Sequence, residues 1–521
     1  FSLALAERAV EFAEVAFAPQ TATTAPGAPL LNPAIWETFL RTATSPRAPV
    51  RLGNAVRFLI DGAITYRAMV EAMRAAQKDT DYIYLLGWSL VDNFRLIPGD
   101  NDSSMTRPDT TPGGGPAVPT PLLVAAAARG VQIRAMLWDQ LGTTNTDEVD
   151  RINRLATGAA ILDNETLIAG AHHQKVLVVK AGETLVAFCG GLDIHNDRLL
   201  PLNTAHGDPQ HDVHCRIEGP AAHDLLLTFI GRWDHHPGSA ALDRSRGALL
   251  GRTTPPPGAI ASPGSATAST GRPCGVVIAR TFNPVTRGTT AVRERDIQTL
   301  LTMAIAQAQR FIYMEDQYLI HPLAATLLNR AVRRLDHLTI LTTASEILAG
   351  SGELGSGGLP CVWRLRLNFV NLLMAGLSAA NRAKVRIFVL VRPPITTPPT
   401  FGLHTYVHAK TWVFDDELAV IGSANCNRRG WSHDSELNAF IFDQGTPPVP
   451  TFAQGLRMAL WAEHLNTTPA AVTDGVASAA LWLTPPAGAK IMRYDPTAST
   501  DTLSALSCAI AVPTLIDPSG P

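Results

Sequence analysis

Residues 406–425 read Tyr406-Val407-His408-Ala409-Lys410-Thr411-Trp412-Val413-Phe414-Asp415-Asp416-Glu417-Leu418-Ala419-Val420-Ile421-Gly422-Ser423-Ala424-Asn425. Apolar and β-branched residues flank the polar triplet 415–417, so the stretch is expected to form the two strands of a hairpin. Alternate side chains of a strand share a face, which points His408 and Lys410 the same way. Gly422 lets another group approach the backbone, and Ser423 and Asn425 add small polar groups where the second strand runs out. A nucleophilic or proton-transferring group, a fixed cation and two neutral donors then meet in one place. That combination suits a tetrahedral oxyanion such as a phosphodiester.

The same device stands earlier in the chain. His173-Gln174-Lys175-Val176-Leu177-Val178-Val179 is followed by a polar turn over 180–183 and by Thr184-Leu185-Val186-Ala187-Phe188-Cys189-Gly190-Gly191-Leu192-Asp193. His-x-Lys, strand, turn, strand and Gly recur in order, with the first copy three residues longer between His and Gly. Lysine is scarce, six in the whole chain, and two of the six fall in this pattern. One His-x-Lys would say little; two in matching contexts half a chain apart point to an internal duplication.

At 521 residues the chain exceeds one ordinary domain. Its formal net charge is -2, without a long basic run, which argues against a dedicated nucleic-acid binder. Six cysteines in this length do not read as a disulfide framework, and Cys189, Cys215 and Cys426 read as buried thiols. No apolar run reaches the roughly 18 residues a transmembrane helix needs. No Cys/His cluster has zinc spacing and no acidic loop has calcium-site spacing, so no metal or other cofactor is expected. The chain begins at Phe1, and its Ala/Pro/Thr/Arg-rich composition points to a secreted protein, with a cytoplasmic one as the alternative.

The hydrophobic patterns alternate between strand and helix, the signature of α/β layering. Residues 1–49 form an N-terminal helical segment, with a helix over 1–18. The first domain runs over 50–234 and holds the strand Asp81–Trp88, a loop at 98–119 and the strand Val131–Asp139. Residues 235–273, dense in Gly, Pro, Ser, Thr and Ala, read as a linker. The second domain, 274–445, repeats the plan, with the strand Arg310–Leu319 matching the one that ends at Trp88. Residues 350–358 read as flexible, and Cys361–Ser378 as a helix that packs on the core or forms a lipid-facing lip. Residues 446–521 form a C-terminal extension of mixed helix and loop. The expected fold is α/β: two similar α/β/α sandwich domains, each a mixed β-sheet flanked by helices, meeting at a shared active site.

The paired motifs resemble those of the phospholipase D superfamily, His-x-Lys-x-x-x-x-Asp followed by Gly-Ser-x-Asn or Gly-Gly-x-Asn/Asp. Arg310-Phe311-Ile312-Tyr313-Met314-Glu315-Asp316-Gln317-Tyr318 resembles another stretch of that superfamily. The second copy fits throughout. The first departs at Lys180, where the family carries Asp in a structural role away from phosphate. The resemblance covers most of residues 50–445.

It implies a phospholipase D-type phosphodiesterase that acts on phospholipids without metal, forms a phosphohistidine, and releases phosphatidate and the head alcohol. Transphosphatidylation to other alcohols is an expected side activity. His173 is implied as nucleophile and His408 as acid/base, an order that motif symmetry alone leaves open. Lys175 and Lys410 neutralise the phosphate, while Asn425, Asp193, Ser423 and Gly191 surround its oxygens. Asp212 and Glu436 are the candidates to hold the far imidazole nitrogens. His172, His195, His211, His214 and His433 read as structural or rim residues, and Trp88, Trp138, Glu315, Gln317 and Tyr318 as core. The partner is a phospholipid at a membrane or micelle surface, met by a peripheral monomer with a pseudo-twofold site; nucleic acid is not expected. Alternatives are a phospholipid synthase of the cardiolipin-synthase type, a nuclease or other phosphodiesterase, and a degenerate binding or scaffold protein.

Overall fold

The computed structural model describes residues 33–108, 120–139, 145–199, 210–253, 255–258, 272–283, 293–345, 361–391, 405–444, 450–496, 507–508 and 517–518. The helix expected over 1–18, residues 109–119 of the expected loop, residues 254 and 259–271 of the expected linker and the stretch 350–358 lie outside the described residues.

The first half contributes β1 (Arg51–Ile60), β2 (Tyr82–Gly87), β3 (Gln132–Trp138), β4 (Gly158–Asp163), β5 (Val176–Ala181), β6 (Thr184–Gly190), β7 (Gln210–His211) and β8 (Val213–Glu218). The second contributes β9 (Arg272–Phe282), β10 (Glu294–Arg295), β11 (Phe311–Asp316), β12 (His337–Thr342) and β13 (Val385–Leu390). It continues with β14 (Tyr406–Val407), β15 (Lys410–Phe414), β16 (Leu418–Gly422), β17 (Glu436–Asp443) and β18 (Ile491–Arg493). In the sheet the halves run β4-β3-β2-β5-β6-β8-β1 and β13-β12-β11-β15-β16-β17-β9. Seven strands correspond place for place. The parallel pairs β2–β3 and β3–β4 answer β11–β12 and β12–β13, and the hairpin β5–β6 answers β15–β16. The duplication read from the sequence is therefore a duplication of topology.

The halves are not two separate sheets. β1 pairs antiparallel with β9, which joins them into one mixed sheet of 16 strands. Each half alone would leave this strand as an open edge, and pairing satisfies both rows of backbone groups. Helices Pro220–His235 and Phe452–His464 cover one face, over a core that runs continuously across both halves from Tyr84, Phe229 and Trp233 to Trp461 and Trp482. On the opposite face, helices Asp61–Ala75 and Leu122–Ala128 cover the first half, and Asp296–Gln307 and Pro322–Val332 cover the second. The layers are α/β/α, as expected.

Three sequence expectations change. Part of the linker is ordered: Ser239–Arg246 is a helix, fastened where Trp233 Nε1 donates to Asp243 at 3.0 Å. The C-terminal extension completes the core, since Phe452–His464 buries Leu456, Leu460 and Trp461, and β18 adds a strand beside β13. Two of the six cysteines do form a disulfide, Cys361–Cys508, while Cys189, Cys215, Cys274 and Cys426 are free and buried. The helix Val362–Met374 takes the core-packing role. Phe369 and Leu373 are buried, and Arg366 donates to the carbonyls of Gln317, Tyr318 and Thr343.

Candidate active site

Both His-x-Lys histidines precede the first strand of their hairpin, and each is seated by the other half of the chain. The main-chain N–H of His408 donates to the His211 carbonyl at 2.8 Å, beside the parallel pairing of β14 with β7. The main-chain N–H of His173 donates to the Ser435 carbonyl at 2.9 Å, beside the parallel bridge of His172 with Ser435. In each case the next residue of the partner segment is an acid. Asp212 Oδ2 lies 2.6 Å from His408 Nδ1, and Glu436 Oε1 lies 2.9 Å from His173 Nδ1. The carboxylates are thus exchanged between the halves: the first half orients the histidine of the second, and the second that of the first. Both acids are buried, so the hydrogen bonds form without competition from water.

The lysines enter with their histidines but find different partners. Lys175 Nζ lies 3.0 Å from Asp193 Oδ2. Lys410 Nζ donates to Gln317 Oε1 at 2.9 Å and to the His408 carbonyl. Both ammonium groups are buried. Burial is the largest influence on both imidazoles and pushes them well down, reinforced for His173 by Lys175, Lys410 and Arg429, and for His408 by Lys410, Arg198 and Lys175. Burial pushes Asp212 up to about 6 against the pull of Lys410, Arg198 and His211. It also pushes Glu436 well up, with Asp434 adding to the effect. The site therefore favours neutral rings amid fixed cations, a setting that an arriving anion would complement.

The expected substrate-binding residues divide. Asn425 Oδ1 is buried and meets no hydrogen-bond partner among the described residues; it is an acceptor, so a phosphate oxygen would have to be met by the Nδ2 amide. Asp193, Ser423 and Gly191 each touch another side chain of the site. Asp193 carries negative charge and pairs with Lys175, while its Oδ1 accepts the N–H groups of Trp88 and Ser89; a carboxylate so placed would repel phosphate oxygens. The Ser423 hydroxyl donates to Glu436 Oε2 at 2.5 Å. Gly191 makes room for Asp212: a Cβ there would stand 2.1 Å from Asp212 Oδ1. Gln317, which reads as core, holds Lys410.

Arg198 and Arg429, which act on the two imidazoles, were not singled out from the sequence. Nothing in their spacing marks them among the chain's many arginines. His172 faces Asp163 at 3.0 Å, His195 faces Asp197 at 2.7 Å, and His433 Nε2 bonds the Ile168 carbonyl at 3.1 Å. His214 Nδ1 accepts from Leu192 N–H at 3.4 Å. These four serve the scaffold.

Lys180 has a structural explanation. In the second copy the motif's Asp415 sits in the turn, and its carboxylate accepts the N–H groups of Gln309, Arg310 and Phe311 at 2.7–2.8 Å. In the first copy the cap comes from the opposite side. Asp81, just before β2, accepts from Gln77, Lys78 and Gly182 N–H. Position 180, near the end of β5, is then free to be Lys180, whose Nζ donates to the Gly182 carbonyl at 2.7 Å.

His211, Glu315 and His464 bring ligand-type atoms within 4.8 Å of one another. These atoms already bond each other, with Glu315 accepting from His211 Nε2, His464 Nε2 and the Tyr313 hydroxyl. That is a hydrogen-bonded cluster, with the donors a metal would have to displace. No helix among the described residues is long and apolar enough to cross a membrane.

The chain is similar to known proteins. A family model described as "Cardiolipin synthase, PLD-like domain" matches residues 301–457, and one described as "Phospholipase D" matches residues 199–326. Phospholipase D alpha 2 of Oryza sativa subsp. japonica is 24% identical over 551 residues, covering 81% of this chain and 66% of that protein. Phospholipase D alpha 2 of Arabidopsis thaliana is 26% identical over 513 residues, covering 74% of this chain and 62% of that protein. The chain thus spans about two thirds of the length of these relatives. The crystal structure of phosphatidylserine synthase from Haemophilus influenzae Rd KW20 aligns with a TM-score of 0.48 at 13% identity, over 87% of this chain and 90% of that one. The chain belongs to the phospholipase D superfamily.

Proposed function

We propose that the protein is a phospholipase D-type phosphodiesterase that hydrolyses phospholipids to phosphatidate and the head alcohol. The observation that carries this reading is the exchanged pair of carboxylate–histidine contacts, Asp212–His408 and Glu436–His173, beside two buried lysines. Two duplicated halves, about 50–234 and 274–445, build the single site, so a monomer suffices.

Nucleophilic displacement at a phosphodiester needs a nucleophile, cations on the nonbridging oxygens and an acid for the leaving oxygen. His173 is the more exposed ring, at 16% against 4% for His408, and serves as nucleophile. Its Nε2 attacks phosphorus, and the bond from phosphorus to the head-alcohol oxygen breaks. Protonated His408 donates its Nε2 proton to that oxygen. Lys175, Lys410 and Asn425 hold the nonbridging oxygens. His408, now neutral, takes a proton from water as the oxygen of water attacks phosphorus. The phosphorus–nitrogen bond breaks, His173 is neutral again and His408 is again the acid. The phosphate anion itself favours the imidazolium form of His408, against the burial that otherwise lowers it. An alcohol can replace water in the second step, which gives transphosphatidylation; a lipid alcohol as acceptor gives the synthase reading, the alternative that the match to a cardiolipin-synthase model supports.

The substrate is met at a membrane or micelle surface by a peripheral protein. The Cys361–Cys508 disulfide supports an oxidising compartment and so a secreted protein. Head-group release from mixed phospholipid vesicles, in EDTA and with ethanol present, tests the reading. Phosphatidate and phosphatidylethanol are expected from wild type and from neither His173→Ala nor His408→Ala. Absence of both from every lipid offered would refute a phospholipid substrate, and activity restored only by a divalent metal would refute the metal-free mechanism.

A further inference from the structure

The two half-sites differ in what stands behind each acid. Ser435 precedes Glu436, and its hydroxyl accepts from Arg232 at 2.9 Å. His211 precedes Asp212 at the corresponding place. Its Nδ1 lies 2.8 Å from Asp61 Oδ1 and its Nε2 2.9 Å from Glu315 Oε2. A ring with a carboxylate on each nitrogen donates from both, and only imidazolium can do so. A permanent cation thus backs one half-site and a titratable one backs the other.

We infer, on the catalytic reading above, that His211 is a positioning residue, an imidazolium clamped by Asp61 and Glu315 that seats Asp212 against His408 and keeps it ionised. The main chain carries half of this role. The His211 carbonyl accepts the His408 N–H at 2.8 Å, Asp61 N–H donates to the Asp212 carbonyl at 2.9 Å, and Asp61 Oδ1 accepts the Asp212 N–H at 3.1 Å. Asp61 does this with φ of 62°, in the left-handed region that costs a non-glycine residue energy and that the surrounding contacts must hold. Charge carries the other half. His211 faces Asp61 from the start of one helix, Glu315 from β11, His464 and Glu463 from the C-terminal helix, and Asp212 from its own segment. Glu315 is anchored in turn by His464 Nε2 at 3.0 Å and the Tyr313 hydroxyl at 2.5 Å. The C-terminal helix is thereby tied to the site.

The charge states agree with the geometry. Asp61 and Glu315 raise His211 well above the ordinary imidazole range despite its burial, and His211 and His464 draw Glu315 below the ordinary carboxylate range against its own. The His211 contribution to stability is therefore present in acid and neutral solution and lost as pH rises through its raised value. The Glu315 contribution is present at neutral pH and lost as pH falls through its lowered value.

The test is His211→Gln, with two readouts. In 1H–15N spectra of histidine-labelled wild type at pH 7, the signals that vanish in H211Q are expected to be those of an imidazolium. In phosphodiester hydrolysis, the acid limb of the pH profile of H211Q is expected to move up by about one pH unit, the lower end of what a charge at this range supplies, with activity partly recovered above it. Glu315→Gln serves if H211Q does not fold, and is expected to bring the His211 deprotonation midpoint down in the same spectra. A neutral His211 ring at pH 7 would overturn the inference. So would an H211Q profile lowered equally at all pH values, the mark of a merely structural residue. Wild type inactive on every phosphodiester would defeat the functional reading alone, since the spectra still decide the state of His211.

Discussion

Replacing Asp212 by Asn tests the exchanged carboxylates most directly. Asp212 uses its two oxygens differently: Oδ1 accepts the Val213 N–H at 2.8 Å and Oδ2 takes His408 Nδ1 at 2.6 Å. An asparagine keeps the Val213 bond only with its carbonyl oxygen on that side, which turns its NH2 group toward His408. His408 Nδ1 must then accept, so the neutral ring carries its proton on Nε2 and cannot take one from water. Flipping the amide would set two N–H groups against each other at Val213. The corresponding loss in a carboxylate-oriented histidine is about 10⁴-fold in turnover, or about 5 kcal/mol in the barrier. Volume and hydrogen-bonding capacity are nearly unchanged, so the melting temperature should move little. The assay is steady-state hydrolysis together with acid-quench trapping of phosphoenzyme. On the proposed mechanism His408 acts as base in the second step, so covalent adduct on His173 is expected to accumulate in Asp212→Asn. Glu436→Gln, which disturbs the attacking ring, should yield none. Hydrolysis within tenfold of wild type in Asp212→Asn, or adduct found on His408, would refute the reasoning.

Gly191→Ala places a Cβ 2.1 Å from Asp212 Oδ1 and is expected to lower turnover toward that of Asp212→Asn; unchanged kinetics in a folded variant would show that the carboxylate yields without cost. Activity should fall as pH drops below about 6, because burial raises Asp212 to about 6 and protonation removes the acceptor from His408. The linked stability runs the other way: the folded protein binds this proton more tightly, so the Asp212 contribution decreases from pH about 4 to 6 as the group ionises. Urea unfolding of wild type and Asp212→Asn across that interval measures the difference. Asp415→Ala strands three N–H groups, that of Phe311 buried and those of Gln309 and Arg310 partly so, and should cost about 2 kcal/mol or more in urea unfolding. The Cys361–Cys508 bridge spans 147 residues; loop entropy gives it at most about 5 kcal/mol, so a reductant or Cys508→Ser should lower the melting temperature, and no shift would place the tail's stability elsewhere.

Much of this was legible in the sequence because it is local. His-x-Lys on an extended backbone, a polar turn and a Gly-containing return strand are set by spacing and side-chain chemistry. Their recurrence exposed the duplication, and with it the α/β class. Four residues, His173, Lys175, His408 and Lys410, were readable as a set for that reason. Elements whose patterns are weak on their own were missed, among them the short strand Gly158–Asp163 and the helix Ser239–Arg246 inside an apparent linker; helix was expected within 446–521, but not its place in the core, since its apolar stripe makes sense only against the shared sheet face.

Tertiary structure alone decided which acid serves which histidine. The sequence offers Asp212 and Glu436 each after its own motif, and adjacency would pair them within their halves. The fold pairs them across, because the segments before β5 and β15 run beside the segments before β17 and β8 of the opposite half, and neighbouring backbones fix which side chains meet. The same crossing makes Gly191 a seat for Asp212, makes Ser423 a support for Glu436, and lets Asp81 do for the first hairpin what Asp415 does for the second. It also joins His211 to Glu315 and His464, residues 104 and 253 positions away in sequence. Spacing along a chain specifies what one strand presents, whereas contacts at such separations exist only once β1 and β9 have closed the two halves into one sheet.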